Sequence, residues 1–222
     1  MVDALQTPEG EGIFTQYLEG FYEELSIETG INFEVRQAPK KRALILANTG
    51  SVDGLAARIS GLQVNGFPNV MVVNASHYTV QHVVFAINPE IVESFISYEA
   101  MIKQSLSKKY VLGYLRGSKK AQQLLSSLPP ELTYVIKDSD HAFKLLIKNR
   151  ISAYLAGPGI VSRHLLKEKF QDSSIQEAAV VSETQLFPYL HVSQKDLIPE
   201  IERAIFRLQK KGTLARLLNK YQ

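Results

Sequence analysis

The segment from Tyr110 to Leu128 constrains the fold more than any other part of the chain. Its apolar first half, up to Leu115, is typical of a short buried strand, and Gly117-Ser118 then leads into a helix with leucines on one face. Such a turn presents unpaired backbone N–H groups and a hydroxyl at the positive end of a helix dipole. The segment therefore predicts a strand-turn-helix unit that can bind a carboxylate or another small anion.

Strand and helix patterns alternate along the rest of the chain. Apolar and β-branched runs predict strands over 2–6, 32–37, 70–73, 80–87, 111–115, 133–136, 152–156 and 178–181. Helical spacing of apolar residues predicts helices over 14–30, 39–47, 97–105, 118–128, 139–148, 160–169 and 198–212, followed by a last short helix. This alternation predicts an α/β fold with mainly parallel sheets covered on both sides.

Composition excludes several classes of function. The net charge is only +3 and the basic residues are spread in pairs, so no nucleic-acid partner is predicted. Cysteine is absent, which excludes thiolate chemistry, and the five histidines lack metal-ligand spacing, so we expect neither a metal nor another cofactor. No apolar run reaches the roughly 18 residues of a membrane span. The first residues do not resemble a signal peptide, so the chain is either intracellular or a mature form without its leader.

Several segments, taken in order, resemble one family. They are Gly12-Ile13, Thr29-Gly30-Ile31, Pro39 to Ala43 with Gly50 and Asp53-Gly54, Val111 to Ser118, Leu146 to Ala153, Pro188 to His191 and Lys211-Gly212-Thr213 to Tyr221. Together they resemble the bacterial extracellular solute-binding proteins of family 3, which have the periplasmic binding protein type II fold. The resemblance covers nearly the whole chain.

The resemblance implies two Rossmann-like lobes of mainly parallel sheet joined by a two-strand hinge. Lobe 1 is expected to comprise residues 1–85 and 188–222, and lobe 2 residues 88–185. The crossing segments near 86–89 and 183–188 are expected to act as the hinge. A ligand is expected in the cleft between the lobes, which close on it.

Arginine and serine side chains are the first candidates for ligand binding. Arg58 ends an apolar segment, and its guanidinium can form a bidentate pair with a carboxylate. The alternatives are a surface position or an ion pair with Asp53. Ser118 and Gly117 match the anion-binding turn of the family, and a plain helix cap is the alternative for the serine. Arg116 precedes this turn and could reach the same ligand, or it could be an exposed arginine.

Gly157 marks the main departure from the family. Relatives that bind α-amino acids carry an aspartate at the matching position, and it holds the ammonium group of the ligand. Without it, an ordinary amino acid is not expected unless a glutamate, Glu9, Glu11 or Glu183, supplies the charge. Tyr78, Tyr154 and Tyr189 are candidate aromatic contacts, with packing in the core as the alternative for each.

The function that the resemblance implies is non-catalytic capture of a small polar, carboxylate-bearing solute. The partner would be the membrane permease of an ABC-type transporter, and the protein would be a periplasmic monomer with its signal peptide removed. A ligand-sensing domain that reports to a sensor protein is the main alternative. An enzyme on the same fold, or the effector domain of a cytoplasmic regulator, is a further one.

Overall fold

The chain folds into two compact units. The computed structural model describes residues 2–6 and 12–221, with no account of the side chains of 2–6, Lys40 and Tyr221. Unit 1 comprises Met1–Thr79 and Thr184–Gln222, and unit 2 comprises Val80–Glu183. The expected role of the two crossing segments as a hinge stays a prediction.

Helices and strands alternate along both units. In chain order they are β1 (Val2–Gln6), α1 (Ile13–Thr29), β2 (Phe33–Gln37), α2 (Lys40–Asn48), β3 (Gly54–Arg58), β4 (Val70–Val72), β5 (Tyr78–Ala86), α3 (Pro89–Ser94), α4 (Tyr98–Lys108), β6 (Leu112–Leu115), α5 (Lys119–Leu124), β7 (Thr133–Ile136), α6 (Ser139–Ile147), β8 (Ala153–Ala156), α7 (Gly159–Lys169), β9 (Gln176–His191), α8 (Ile198–Lys210) and α9 (Thr213–Tyr221). Short 3₁₀ helices occur at Gln63–Asn65, Pro130–Leu132 and Val192–Leu197.

Unit 1 contains a mixed sheet. β1 pairs in parallel with β2 and β3, whereas β3 and β4 pair antiparallel with the carboxyl-terminal part of β9. On α1, Tyr17, Leu18, Phe21 and Leu25 recur at helical spacing and are fully buried. This apolar face explains why the segment forms a helix that packs into the unit, and the helix ends at Gly30, whose φ of 71° suits glycine.

Unit 2 contains a sheet covered by helices on both faces. β6 pairs in parallel with β7 and β8, and β5 pairs antiparallel with β8. Alternate residues of β5 point to opposite faces: Val84 packs with Phe95 and Met101, whereas Phe85 packs with Phe143. The predicted α/β fold with mainly parallel sheets is confirmed.

Several predicted elements have slightly different bounds in the structure, and two differ most. The strand predicted over 178–181 is part of a strand of 16 residues, Gln176–His191, which continues through the polar segment 182–185 and pairs with β3 and β4 over Phe187–His191. The helix predicted to reach Leu128 ends at Leu124. Leu125 and Leu128 are nevertheless buried, and the amide of Leu128 bonds to the carbonyl of Leu125 in a turn. Apolar spacing alone therefore overestimated the helix.

Candidate functional site

The parallel strands of unit 2 end at one edge of its sheet, which we call the carboxyl edge. The register pairs Leu115 of β6 with Ile136 of β7, and Tyr114 of β6 with Leu155 of β8, so the three strands end side by side. Because β5 runs antiparallel to β8, its amino-terminal half lies at the same edge. Open α/β sheets bind their ligands beyond the carboxyl ends of the strands.

The Gly117-Ser118 turn follows β6 at this edge. Gly117 has a φ of 83°, which glycine adopts without strain. Ser118 is the cap of α5: its hydroxyl oxygen accepts a hydrogen bond of 3.4 Å from the amide of Ala121. The capping alternative is thus observed. The hydroxyl hydrogen is not used by this bond and could be donated to an anion, so a ligand contact of Ser118 and Gly117 stays a prediction.

Basic residues follow the strands at the carboxyl edge. Arg116 is exposed directly after β6, Lys120 lies in the first turn of α5, and Lys137 follows β7. The neighbouring carboxylate, Asp138, caps α6 by accepting a 2.7 Å hydrogen bond from the amide of His141. It also lies 3.6 Å from the ammonium of Lys137. The segments that follow β6 and β7 at this edge therefore combine three cations with one carboxylate, which is already engaged.

Gly157 follows β8, and the imidazole of His82 occupies the space beside it. A Cβ atom added at Gly157 would lie 2.4 Å from Cδ2 and 2.6 Å from Nε2 of His82. His82 is only 6% exposed, and its Nδ1 atom is buried without a hydrogen-bond partner among the described residues. Burial lowers the pKa of His82, and the positive charge of Lys120 lowers it further. Neither His82 nor Lys120 was a candidate from the sequence.

Tyr154 lies in the core of unit 2. Its ring is fully buried, with its centroid 5.8 Å from that of Phe143. Its hydroxyl shares a 2.8 Å hydrogen bond with Ser139 Oγ, which lies 3.2 Å from Ser162 Oγ. Burial raises the pKa of Tyr154. This is the packing alternative, and contact of Tyr154 with a ligand stays a prediction.

The candidates of unit 1 lie at β3 and β5. Arg58, the last residue of β3, is 8% exposed, and its Nη1 donates a 2.7 Å hydrogen bond to the carbonyl of Ala57. Tyr78, the first residue of β5, is 5% exposed and packs against Phe14 and Tyr17 at centroid distances of 4.9 and 5.1 Å. Glu9 and Glu11 lie outside the described residues. The roles of Arg58 and Tyr78 at a ligand stay predictions.

A buried histidine lies near these residues in unit 1. His77 is 2% exposed and stacks on Phe21 with ring centroids 4.2 Å apart. Its Nε2 atom lies 3.0 Å from the carbonyl oxygen of Ala56, which also accepts a hydrogen bond from the hydroxyl of Tyr22. Burial lowers the pKa of His77 to about 4, so the ring is neutral at pH 7. We assign it to the core of unit 1.

The described part of the chain contains no group of three or more histidines and acidic residues that could hold a metal ion. In the same residues, no helix is long and apolar enough to cross a membrane.

Comparison with known proteins identifies the fold. No protein-family model matches the sequence, and no curated protein matches it. The amino acid ABC transporter substrate-binding protein AbpA from Streptococcus pneumoniae, bound to L-arginine, is similar in structure with a TM-score of 0.61 at 12% identity, over 100% of this chain and 93% of that chain. The GluR0 ligand-binding core in complex with L-glutamate has a TM-score of 0.69 at 11% identity, over 100% and 98% of the two chains.

A third solved structure is a histidine kinase sensor domain with similarity to periplasmic binding proteins, with a TM-score of 0.61 at 13% identity over 92% of this chain and 85% of that chain. The fold is therefore the periplasmic binding protein type II fold, as the sequence resemblance implied. The low identities fit a divergent sequence.

Proposed function

We propose that this protein is a non-catalytic solute-binding protein that captures a small polar, carboxylate-bearing solute for an ABC-type transporter. The fold supports a binding role, because proteins of similar structure are described in complex with L-arginine and with L-glutamate. The similarity is at the level of fold, so the nature of the solute has to be argued from the residues of this chain.

The carboxyl edge of unit 2 is the observation that carries the proposal. It brings together the cations of Arg116 and Lys120, the hydroxyl of Ser118 and the backbone of Gly117 where a parallel sheet binds its ligands. These groups are donors or positive charges, and the carboxylate of Asp138 is engaged by the amide of His141. Such an edge is suited to an anionic solute.

Each candidate residue has a proposed role. Ser118 and Gly117 would donate to a carboxylate of the solute, with Arg116 as a second cation beside it. Arg58 of unit 1 would donate two hydrogen bonds from its planar guanidinium to a carboxylate. Tyr78 and Tyr154 would support these groups by packing, and Glu9 would hold an ammonium group if the solute carries one.

The proposed setting is the periplasm, where the protein would act as a monomer and deliver its solute to a membrane permease. This setting is supported by similarity to an ABC transporter substrate-binding protein. The delivery step can be tested by adding solute-loaded protein to the reconstituted transporter. We expect the rate of ATP hydrolysis by the transporter to rise.

A thermal-shift screen tests solute capture. The purified chain would be heated with amino acids, di- and tricarboxylates, polyamines, sugars and small phosphates. A ligand present at about one hundred times its dissociation constant stabilises a protein by roughly 2.7 kcal/mol, which raises the Tm of a chain of this length by about 5–10 °C. We expect such a shift with a carboxylate-bearing compound. The proposal fails if no compound of these classes raises the Tm.

A ligand-sensing domain is the second candidate. It is favoured by the similarity to a histidine kinase sensor domain. Both functions predict a thermal shift with a small solute. They differ in the next step, because a sensor domain would change the activity of a signalling partner and would leave the ATP hydrolysis of a permease unchanged.

A further inference from the structure

We infer that His82 and Lys120 select the ligand at the carboxyl edge of unit 2, and that they select an oxyanion, a carboxylate or a phosphate, in preference to an ammonium group. This inference deepens the proposed function and rests on it. It concerns residues of unit 2 alone.

The strand pairing places His82 at the carboxyl edge. Val83 of β5 is paired with Ala156, the last residue of β8, so His82 lies beside Gly157 just beyond the end of that strand. Neighbouring residues of a strand point to opposite faces, so His82 shares the face of Val84, which belongs to the same buried cluster as Ala121 of α5. α5 is the helix that carries Lys120.

Gly157 makes room for the imidazole. Any other residue would place its Cβ atom 2.4 Å from Cδ2 and 2.6 Å from Nε2 of His82, which is closer than real Cβ contacts. The imidazole of His82 from β5 therefore occupies the space that a side chain at position 157, just after β8, would need. His82 as a whole residue is only 6% exposed, and the described residues give its buried Nδ1 no hydrogen-bond partner.

The surroundings of His82 favour a negative ligand. Lys120 lies in the first turn of α5, the helix that covers the face of β5 bearing His82, and its positive charge lowers the pKa of His82. An oxyanion would be attracted by Lys120 and could accept a hydrogen bond from the imidazole N–H. A ligand ammonium would be repelled by Lys120.

The carboxylates near the start of β5 are already engaged with neighbouring side chains. Glu177 accepts two hydrogen bonds of 2.7 Å from Arg163, and Arg163 also donates to the side chain of Gln81. Glu183 accepts a 2.8 Å hydrogen bond from the amide nitrogen of Gln81. Arg163 neutralises the charge of Glu177, whereas Glu183 keeps its charge beside an uncharged amide, so the preference for an oxyanion rests on Lys120 at the face that bears His82. This charge distribution indicates a small organic acid or a phosphate that presents no ammonium to that face.

Side-chain NMR of the histidines in the full chain tests the inference directly. Succinate and inorganic phosphate are the two oxyanion probes, putrescine is the ammonium probe, and sodium chloride at equal ionic strength is the control. We expect the His82 signals to shift with succinate, with phosphate or with both, and the arm that responds tells a carboxylate ligand from a phosphate ligand. The inference is overturned if neither oxyanion moves the His82 signals, or if putrescine moves them as much.

Matched variants separate this inference from the proposed function. For the oxyanion that binds, His82→Gln and Lys120→Gln should each raise the Kd about tenfold, as expected for a lost hydrogen bond to a charged group or a lost close charge. His164→Gln on α7 and Lys119→Gln on α5 are the controls, and we expect their Kd values to stay within about twofold of wild type. Lys120→Gln carries the test where His82→Gln does not fold.

The two proposals fail in different ways. If a solute raises the Tm of all four variants as much as that of the wild type, the roles of His82 and Lys120 are overturned. The proposal of solute capture is then still supported. Failure of every solute to raise the Tm, together with unmoved His82 signals, would overturn both.

Discussion

The imidazole of His82 lies where the side chain of any other residue at position 157 would begin, with Nε2 2.6 Å from the Cβ position of Gly157. The close approach joins two strands that are far apart in sequence, β5 and β8, at the carboxyl edge of unit 2. Its consequences can be measured by changing either residue.

Gly157→Ala should destabilise the protein and weaken oxyanion binding together. The new methyl group must displace the buried ring of His82, and overpacking of this kind costs about 1–3 kcal/mol. Chemical denaturation would give the free energy of unfolding, and calorimetric titration with the oxyanion would give the Kd.

A double variant supplies the control for this change. Replacing His82 by alanine removes the ring that the methyl group meets, so the added cost of Gly157→Ala should be smaller in that background. Equal costs in both backgrounds would show that His82 does not limit the space at position 157.

His77→Phe should make stability less dependent on pH. His77 has a pKa of about 4 in the folded protein and an ordinary value of 6.5, so the unfolded chain binds a proton more readily. The stability that depends on the neutral ring is fully present above pH 6.5 and is lost as the pH falls to about 4. Over that range wild type should lose about 3 kcal/mol more than the variant.

Urea unfolding at intervals between pH 7 and pH 4 would measure this difference. Phenylalanine keeps an aromatic ring beside Phe21 and Tyr22, and the Ala56 carbonyl keeps its bond from Tyr22. Parallel curves for the two proteins would contradict the assignment of a buried neutral His77.

Arg58→Ala should weaken the binding of a carboxylate-bearing solute by about tenfold or more, because it removes a charged donor. The variant should also lower the Tm, since Arg58 is 8% exposed and its stem is packed in unit 1. Titration calorimetry and a thermal melt would measure both. Arg42→Ala, at an exposed arginine on α2, is the matched control. A normal Kd for Arg58→Ala would remove Arg58 from the site.

Tyr154→Phe should destabilise the protein by about 1 kcal/mol, because it removes the buried hydrogen bond to Ser139 and leaves the ring packing in place. The Tm should fall by about 2–4 °C. Tyr134→Phe, at a tyrosine that is 45% exposed on β7, should leave the Tm nearly unchanged. Equal Tm values for Tyr154→Phe and wild type would show that the hydroxyl contributes nothing to stability.

The sequence was sufficient to predict most helices and strands in their order, because apolar periodicity is a local property, but β3 and α3 were not among them. The helical spacing of Phe14, Leu18, Phe21 and Leu25 predicts α1, and the β-branched run near Val83 predicts β5. The cap of α6 by Asp138 is likewise a local feature, since the bond joins residues three positions apart.

The relation between His82 and Gly157 could not be predicted from local pattern. It depends on the register of β5 against β8, in which Val83 pairs with Ala156, 73 positions further along the chain. An isolated histidine in a strand gave no indication that its neighbour would be a glycine from another strand. The sequence left packing in the core and ligand contact open for Tyr154, and its buried ring is the packing alternative.

β9 is a single strand whose residues up to Glu183 belong to unit 2 and whose residues from Thr184 on belong to unit 1. Side chains alternate along a strand, so one residue inserted between Ser182 and Gln185 would turn Leu186, Pro188 and Leu190 to the opposite face of the strand. Tyr189, now fully buried, would exchange faces as well. Natural variation in the length of this segment is therefore expected to be rare, and to occur in steps of two residues where it is tolerated.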